Sequence, residues 1–258
     1  MPAPKNPLKQ ALKEGKTTFG CWLCLGDTYA ADIMGRAGFD WLLIDAEHAP
    51  NDIRSITAQL QVLAGHDVHA AVRVPVGQTY ILKQVLDAGA QTVIVPMVES
   101  AAQASQLVRD VTYPPKGDRG VAYAVVRAGG FGDIPDYGTT ADDEICLIVQ
   151  VENRAGLAAL DEILALDGID GVFIGPADLA ADLGYMGDLG HPEVQATIMD
   201  AITRIRAAGK APGFLSGDEA MLEAAIAAGA QVLAVGVDAL ILGQTSAAIA
   251  AKWTATRT

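Results

Sequence analysis

Positive charge is scarce in this sequence, and the shortage excludes several classes of partner. The chain carries 18 lysines and arginines against 31 acidic residues, which gives a formal net charge of −13. Because such a surface repels phosphate groups, we expect neither nucleic acid nor an anionic membrane as a partner. A small anionic substrate is not excluded by this charge, since it experiences the local field of its pocket.

Cysteine is also scarce, with only three residues in 258. Cys21 and Cys24 have the spacing of a redox motif, but they lie in an apolar run that is typical of a β-strand. Residues three apart on a strand face opposite sides of the sheet, which suits a disulfide badly. We therefore expect these residues and Cys146 to be unpaired cysteines of the core.

Long apolar runs are missing as well. No run approaches the roughly 20 residues that a helix needs to span a bilayer. The first residues, MPAPKNPLKQALKEGK, lack the apolar stretch of a secretory signal peptide. These absences predict a cytoplasmic protein that has no membrane partner.

What the chain does have is a regular alternation of apolar strand-like runs and helix-like stretches. Eight runs have the character of buried parallel strands: 19–25, 41–44, 70–74, 92–95, 145–151, 171–174, 211–215 and 231–235. The pattern predicts an α/β fold in which residues 1–258 form a single (β/α)8 TIM barrel. A doubly wound open sheet is the alternative, but no Gly-x-Gly-x-x-Gly motif follows the first strand.

Two segments lie outside this alternation. Residues 7–14 form an amphipathic pattern through Leu8 and Leu12, and we expect a short helix that plugs the bottom of the barrel. Residues 112–143 are rich in Gly, Pro and Asp and have no sustained period. Because a loop of this length in a compact domain is usually functional, we expect it near the rim of the active site.

Polar residues cluster where several predicted strands end. They are Asp45, Glu47 and His48 after the second strand, Arg73 in the third, Gln150 and Glu152 at the fifth, Asp178 after the sixth, and Ser216 after the seventh. Taken singly, Asp178 is explained as a helix N-terminal acid, Glu152 as a loop charge and His48 as a solvated turn residue. Together they predict a catalytic site, since barrel enzymes place their reactive groups at the carboxyl ends of strands.

The residue types indicate a particular chemistry. Glu152 and Asp178 at neighbouring strand ends suit one hard cation such as Mg²⁺ or Mn²⁺. Arg73 offers a planar fork for a carboxylate or a developing oxyanion, and His48 can move a proton near neutral pH. The amides of Gly175 to Asp178 lie at a helix start and suit an anionic carboxylate. This set favours enolisation of a 2-oxo acid.

The positions of the lysines indicate whether the reaction would proceed through a Schiff base or through a metal-stabilised enolate. A Schiff-base aldolase of this fold needs a lysine that points into the barrel, but none of the eight lysines lies in a predicted strand. The sequence thus disfavours imine chemistry and leaves a metal-stabilised enolate.

Several motifs resemble those of a known family. They are AGFDWLLIDAEHAPND, VRVP, QTVIVPMV, YPPKGDRGV, VQVENRAG, GIDGVFIGPADLAADLGYMG, HPEVQ, GKAPG and LAVGVD. The chain resembles the HpcH/HpaI family of class II pyruvate aldolases over about residues 20–240. The resemblance implies cleavage of 4-hydroxy-2-oxo acids to pyruvate, or hydroxypyruvate, and an aldehyde. It also implies Mg²⁺, Mn²⁺ or Co²⁺ as the only cofactor.

The resemblance also implies roles for individual residues. Glu152 and Asp178 would be the metal ligands, and His48 would be the base. Arg73 would stabilise the enolate and the keto oxygen. The small-molecule partners would then be a 2-oxo acid and an aldehyde.

Other implied roles extend beyond the strand ends. Gln150 would contact the pyruvate part together with the turn at Gly175 and the backbone of Ala177 and Asp178. Asp87 would reach from a neighbouring subunit to raise the basicity of the histidine, and Asp45 would support that histidine as an acceptor. The family implies a homohexamer, a trimer of dimers, with the C-terminal helix exchanged between subunits.

Two other functions remain open from the sequence. One is an acyl-CoA lyase of the citrate lyase β or malyl-CoA type, which would need basic groups for the nucleotide. The other is a catalytically silent barrel that serves as a binding module. The segment FLSGDEA after the seventh strand departs from the family pattern, so the sequence does not identify the aldehyde.

Overall fold

Eight parallel strands form a closed barrel in chain order, with β1 paired to both β2 and β8. This computed structural model of the protein describes residues 1–256. The strands are β1 (Thr18–Leu23), β2 (Trp41–Asp45), β3 (His69–Arg73), β4 (Thr92–Val95), β5 (Cys146–Val151), β6 (Gly171–Ile174), β7 (Ala211–Leu215) and β8 (Val232–Val237). The predicted TIM-barrel fold is therefore confirmed.

Helices cover the outside of the barrel and connect successive strands. They are α1 (Pro7–Lys13), α2 (Thr28–Gly35), α3 (Ile53–Leu63), α4 (Thr79–Asp87), α5 (Ala101–Val111), α6 (Tyr137–Thr140), α7 (Arg154–Ala158), α8 (Leu160–Leu164), α9 (Pro176–Asp182), α10 (Pro192–Ala207), α11 (Glu219–Ala227) and α12 (Asp238–Thr254). Short 3-10 turns lie at Arg127–Gly132 and Ala141–Glu144. Within residues 1–256, no helix is long and apolar enough to cross a membrane.

The barrel interior is filled by large side chains and closed from below by α1. Trp22, Trp41 and Phe173 belong to one buried apolar cluster, and Leu8 and Leu12 of α1 pack into the same cluster. The N-terminal helix is thus the predicted capping helix. The interior is packed rather than open, and enzymes with this fold bind their ligands at the carboxyl ends of the strands.

The three cysteines are free, as predicted. Cys21 and Cys146 are buried, whereas Cys24 follows β1 and is half-buried. Burial raises the pKa of the Cys24 thiol to about 12. This thiol is therefore a poor nucleophile at neutral pH.

The segment 112–143 lies at the opposite end of its own barrel from the expected rim. It follows α5 and precedes β5, so it connects a helix to the amino end of a strand. Its Arg127 Nη1 donates to the carbonyl oxygen of Ala88, just after α4, at 2.9 Å. Next to it, Glu144 accepts the backbone N–H of Asn6, in front of α1, at 2.9 Å. The predicted rim position would therefore have to be at the barrel of a second subunit, because helix-to-strand loops lie at the amino ends of the strands of their own barrel.

The last helix, α12, has almost no partner within its own chain. It begins at Asp238, and it packs against β1 and β8. Asp238 is buried and accepts the N–H of Cys24 at 2.8 Å, which fixes the start of the helix to the end of β1. The rest of α12 is solvent-exposed, including its large apolar residues Leu240, Ile241, Leu242, Ile249 and Trp253.

A buried histidine at the start of β3 predicts a loss of stability in acid. His69 Nε2 lies 2.7 Å from Thr92 Oγ1, and burial lowers the pKa of His69 to about 4 from its ordinary 6.5. The unfolded chain binds this proton first, so stability should fall by about 3 kcal/mol as the pH drops from 6.5 to 4. Thermal melts of wild type and His69→Gln between pH 7 and 4 check this. Parallel curves for the two proteins would contradict it.

Candidate active site

An arginine–aspartate fork lies at the carboxyl ends of β2 and β3. Asp45 and Arg73 are register partners, so their side chains meet on the same face of the sheet. Arg73 donates from Nε to Asp45 Oδ1 and from Nη2 to Oδ2, both at 2.8 Å. Burial alone would raise the pKa of Asp45, but the guanidinium outweighs it and lowers that pKa. Two parallel charge-assisted bonds hold the arginine in one orientation.

The remaining guanidinium nitrogen of Arg73, Nη1, forms an ion pair with a second carboxylate. Nη1 lies 2.8 Å from Glu47 Oε2, and the guanidinium carbon lies 5.5 Å from the centre of the Trp22 ring. Burial would lower the pKa of Arg73, but Asp45 and Glu47 raise it. Arg73 is therefore a permanent, pre-oriented cation at the mouth of the barrel.

His48 follows this arrangement on the β2–α3 connection and is exposed. Its Nε2 lies 3.8 Å from Glu47 Oε1, whereas only its backbone N–H contacts Asp45, at 3.5 Å from Oδ1. Within residues 1–256 the Asp45 carboxylate contacts Arg73 and the backbone rather than the His48 ring, so the expected support of the ring by Asp45 stays a prediction. Asp45 instead fixes the backbone turn that presents the histidine.

Glu152 lies beyond the end of β5 and is almost fully buried. Its Oε1 accepts the backbone N–H of Met97 at 2.8 Å, and its Oε2 accepts the side-chain amide of Gln150. Burial raises the pKa of Glu152, and the carboxylates of Glu47 and Asp178 raise it further. Gln150 and Glu152 were predicted to lie on the same face of the strand, and their side chains are in direct contact.

The β6–α9 turn approaches Glu152 closely because it has no side chain at one position. Gly175 donates its N–H to the carbonyl oxygen of Val151 at 3.2 Å. A Cβ on Gly175 would lie 2.3 Å from Glu152 Oε2 and 2.9 Å from Gln150 Nε2. Helix α9 starts at the next residue, and Asp178 lies exposed in its first turn. A glycine here allows the turn to lie against the buried carboxylate.

The donor set fits a hard divalent cation. Glu47, Glu152 and Asp178 form an excess of negative charge that raises the pKa of Glu47 and Glu152, after burial as the first cause. Gln150 Oε1 is buried and accepts no hydrogen bond from residues 1–256. No group of three or more His, Cys, Asp or Glu in that range has the arrangement of a metal site. Carboxylate and amide oxygens such as these are the hard donors that Mg²⁺ and Mn²⁺ prefer.

Asp87 is not brought to this site within one chain. It ends α4, near the amino ends of the strands, and its Oδ1 lies 3.5 Å from Arg119 Nη2. Arg119 is fully buried, with its guanidinium carbon 4.4 Å from the centre of the Tyr113 ring. Burial raises the pKa of Asp87, and Arg119 opposes that rise. Contact with His48 would require a second subunit.

Three contributors to the site were missed by the sequence analysis. Glu47 stood among the polar residues after the second strand, but it was given no role. Trp22 was masked by a continuous apolar run, which does not reveal which side chains face inward. Met97 contributes a backbone N–H from a left-handed conformation with φ of 53°, for which a methionine gives no signal.

Comparisons with known proteins agree with these features. Residues 18–244 match the family described as HpcH/HpaI aldolase/citrate lyase. A hydroxypyruvate/pyruvate aldolase of Roseobacter denitrificans is 58% identical and covers 98% of this chain and 99% of that protein. A 4-hydroxy-2-oxovalerate aldolase of Rhodococcus jostii is 52% identical over 98% of each chain.

The fold of this chain is also similar to that of a solved structure. The crystal structure of an HpcH/HpaI aldolase/citrate lyase family protein from Burkholderia cenocepacia has a TM-score of 0.93 and 38% identity. The match covers 97% of this chain and all of that one. Since family and relatives span nearly the whole length, this chain belongs to the HpcH/HpaI aldolase/citrate lyase family.

Proposed function

We propose that this protein is a divalent-metal-dependent class II aldolase. It reversibly cleaves 4-hydroxy-2-oxo acids to pyruvate, or to hydroxypyruvate, and an aldehyde. The observation that carries the proposal is the Arg73 fork beside the buried Glu152 at one barrel mouth. The names of the relatives, which include hydroxypyruvate/pyruvate aldolase and 4-hydroxy-2-oxovalerate aldolase, support this reaction.

Glu152 and Asp178 would hold Mg²⁺, Mn²⁺ or Co²⁺, with water in the open positions. When bound, the cation supplies Lewis-acid polarisation of the 2-oxo acid. Gln150, whose Oε1 has no partner among the described residues, would contact the pyruvate part of the substrate. The turn at Gly175 and the backbone of Ala177 at the start of α9 would contact the substrate carboxylate.

Cleavage needs a group that takes a proton from the C4 hydroxyl. The C3–C4 bond then breaks, a carbonyl forms at C4, and the electron pair remains on C3 as an enolate. We assign this proton transfer to His48, which is exposed at the mouth and can return the proton to C3. Arg73 opposes the negative charge that develops on the keto oxygen, and it needs no reorganisation because Asp45 already holds it.

We infer further that Asp87 acts on His48 from a neighbouring subunit of a homohexamer, a trimer of dimers. Its position at the far end of α4 supports an intermolecular rather than an intramolecular contact. The exposed apolar face of α12 supports exchange of that helix between subunits. A monomeric mass in sedimentation velocity at micromolar protein would contradict both assignments. Three free cysteines support a cytoplasmic location, which cell fractionation would test.

Removal of the metal should abolish the activity. After treatment with EDTA and desalting, we expect no release of pyruvate from 4-hydroxy-2-oxopentanoate, and addition of Mn²⁺ should restore it. Exchange of the C3 protons of pyruvate in D₂O, followed by NMR, should be lost and restored in parallel. Undiminished turnover without metal would overturn the mechanism, and absence of exchange with metal would indicate a silent barrel.

A further inference from the structure

The turn that carries His48 is tied at both ends to one residue, Asp45. At its start, Asp45 Oδ1 accepts the backbone N–H of Glu47 at 3.0 Å and that of His48 at 3.5 Å. At its end, the side-chain amide of Asn51 donates to the carbonyl oxygen of Asp45 at 2.7 Å. The Asp45 carboxylate is itself held by Arg73. The path of the backbone that presents His48 therefore depends on these two sets of bonds.

Two donors of α3 hold the side chain of Asn51. Its Oδ1 accepts the hydroxyl of Ser55 at 2.9 Å and Nε2 of Gln59 at 2.7 Å. The same nitrogen of Gln59 also donates to the carbonyl oxygen of Ser55 at 3.2 Å. Because both donors contact the oxygen of the Asn51 amide, its nitrogen is directed at the carbonyl of Asp45.

Gln59 is an unexpected residue for its place in α3. It lies with Ile56, Leu60 and Leu63 on the buried face of the helix. Its Oε1 is buried and has no hydrogen-bond partner within residues 1–256, so burial of this amide costs free energy. A leucine would complete the apolar face without that cost. Stability alone therefore does not explain a glutamine here, whereas its bond to Asn51 does.

We propose that Asn51, held by Gln59, is a positioning residue that fixes His48 for proton transfer. The inference rests on the proposed aldolase function, in which His48 takes the proton of the C4 hydroxyl and can return it to C3. Asn51 acts on the backbone of the turn rather than on the reacting atoms. Misplacement of a catalytic group by about 1 Å can cost about a hundredfold in rate, so an exposed histidine needs a turn of fixed geometry.

Two substitutions test this role by opposite effects on stability. Asn51→Ala frees the end of the turn and should lower kcat for pyruvate release by about ten- to a hundredfold, with KM changed less than about twofold. Gln59→Leu should also lower kcat, but its melting temperature should equal or exceed that of the wild type, because the unpaired buried oxygen is removed with the donor. Wild-type kcat in both folded variants would overturn the proposal.

Asn6→Ala is the matched control. Asn6 is a buried asparagine at the amino end of the barrel, and its side chain donates to the carbonyl oxygens of Gln91 at 3.3 Å and Glu144 at 3.0 Å. The control removes the same kind of bonds far from the mouth and should leave kcat unchanged. Amide hydrogen exchange, followed by mass spectrometry, should rise over residues 45–51 in Asn51→Ala and not in Asn6→Ala. Unchanged exchange over residues 45–51 in Asn51→Ala would overturn the proposal without reference to activity.

A double substitution shows whether Asn51 acts through His48. In a His48→Ala background, Asn51→Ala should cause no further loss in the rate of C3 proton exchange of pyruvate with Mn²⁺. A further loss of about tenfold would place the effect elsewhere and overturn the proposal. Absence of metal-dependent exchange and of pyruvate release in the wild type would overturn the proposed function, and this inference with it. An active wild type with an equally active Asn51→Ala would overturn the inference alone.

Discussion

Replacing Arg73 by alanine should reduce the rate of retro-aldol cleavage by about a thousandfold. The fork of Arg73 is held by Asp45 at 2.8 Å and by Glu47 at 2.8 Å, so its charge is oriented before substrate binds. A pre-oriented cation stabilises the enolate more than the ground state, and its loss should therefore lower kcat. Steady-state release of pyruvate over a range of substrate concentrations measures both kcat and KM.

Stability has to be separated from catalysis in this experiment. Alanine at position 73 leaves the buried Asp45 and Glu47 without their cation, which by itself destabilises the fold. Arg73→Lys keeps the charge without the planar fork and should still lose most of the activity. Arg109→Ala is the control, because Arg109 forms an equivalent fork with Asp118 on the surface. If Arg73→Lys raised KM alone, Arg73 would be a uniform binder of substrate and enolate.

Adding a single methyl group at Gly175 should weaken metal binding by about ten- to a hundredfold. The new Cβ would lie 2.3 Å from Glu152 Oε2, so the carboxylate has to move from the position in which Met97 and Gln150 hold it. Gly175 has φ of −83° and ψ of 101°, which alanine also adopts, so backbone strain does not contribute. Calorimetric titration of the EDTA-treated Gly175→Ala protein with Mn²⁺ measures the effect.

A matched substitution makes this result specific. Gly243 in α12 has no atom within 4 Å of an added Cβ, and Gly243→Ala should bind Mn²⁺ like the wild type. An unchanged Kd in Gly175→Ala would show that Glu152 is not a metal ligand or that it moves without cost. Equal losses in both variants would indicate a general defect in folding.

The sequence was sufficient for the barrel and for much of its mouth, for identifiable reasons. Period-two alternation placed Gln150 and Glu152 on one face, and their side chains are in contact. The order of apolar runs placed β2, β3, β5 and β6 correctly, because parallel strands in a barrel end on one side. Strand ends near Asp45 and Arg73 were therefore predictable without any contact information.

The rest depended on partners that a one-dimensional pattern does not specify. The family resemblance implied that Asp45 supports His48, whereas the register with β3 brings its carboxylate to Arg73 within this chain. The segment 112–143 was predicted near the rim from its composition, and its position between α5 and β5 puts it at the opposite end of its own barrel. The left-handed backbone conformation of Met97 was not predictable, because methionine has no preference for it.

Strand β4 connects the two parts of the candidate active site, so the site is complete only when β4 has paired on both sides. The arginine fork belongs to the β2–β3 pair and the carboxylate to the β5–β6 pair, so each pair comes from a different half of the chain. β4 is hydrogen-bonded to both β3 and β5, and Met97 just beyond it donates to Glu152. The pairing of Thr92 with Cys146 closes the longest connection between two strands that follow each other in the chain, so it has the largest loop-closure entropy among those pairs. A fragment that ended before β5 would contain a complete fork and no place for a cation, so activity reports the joining of the two halves.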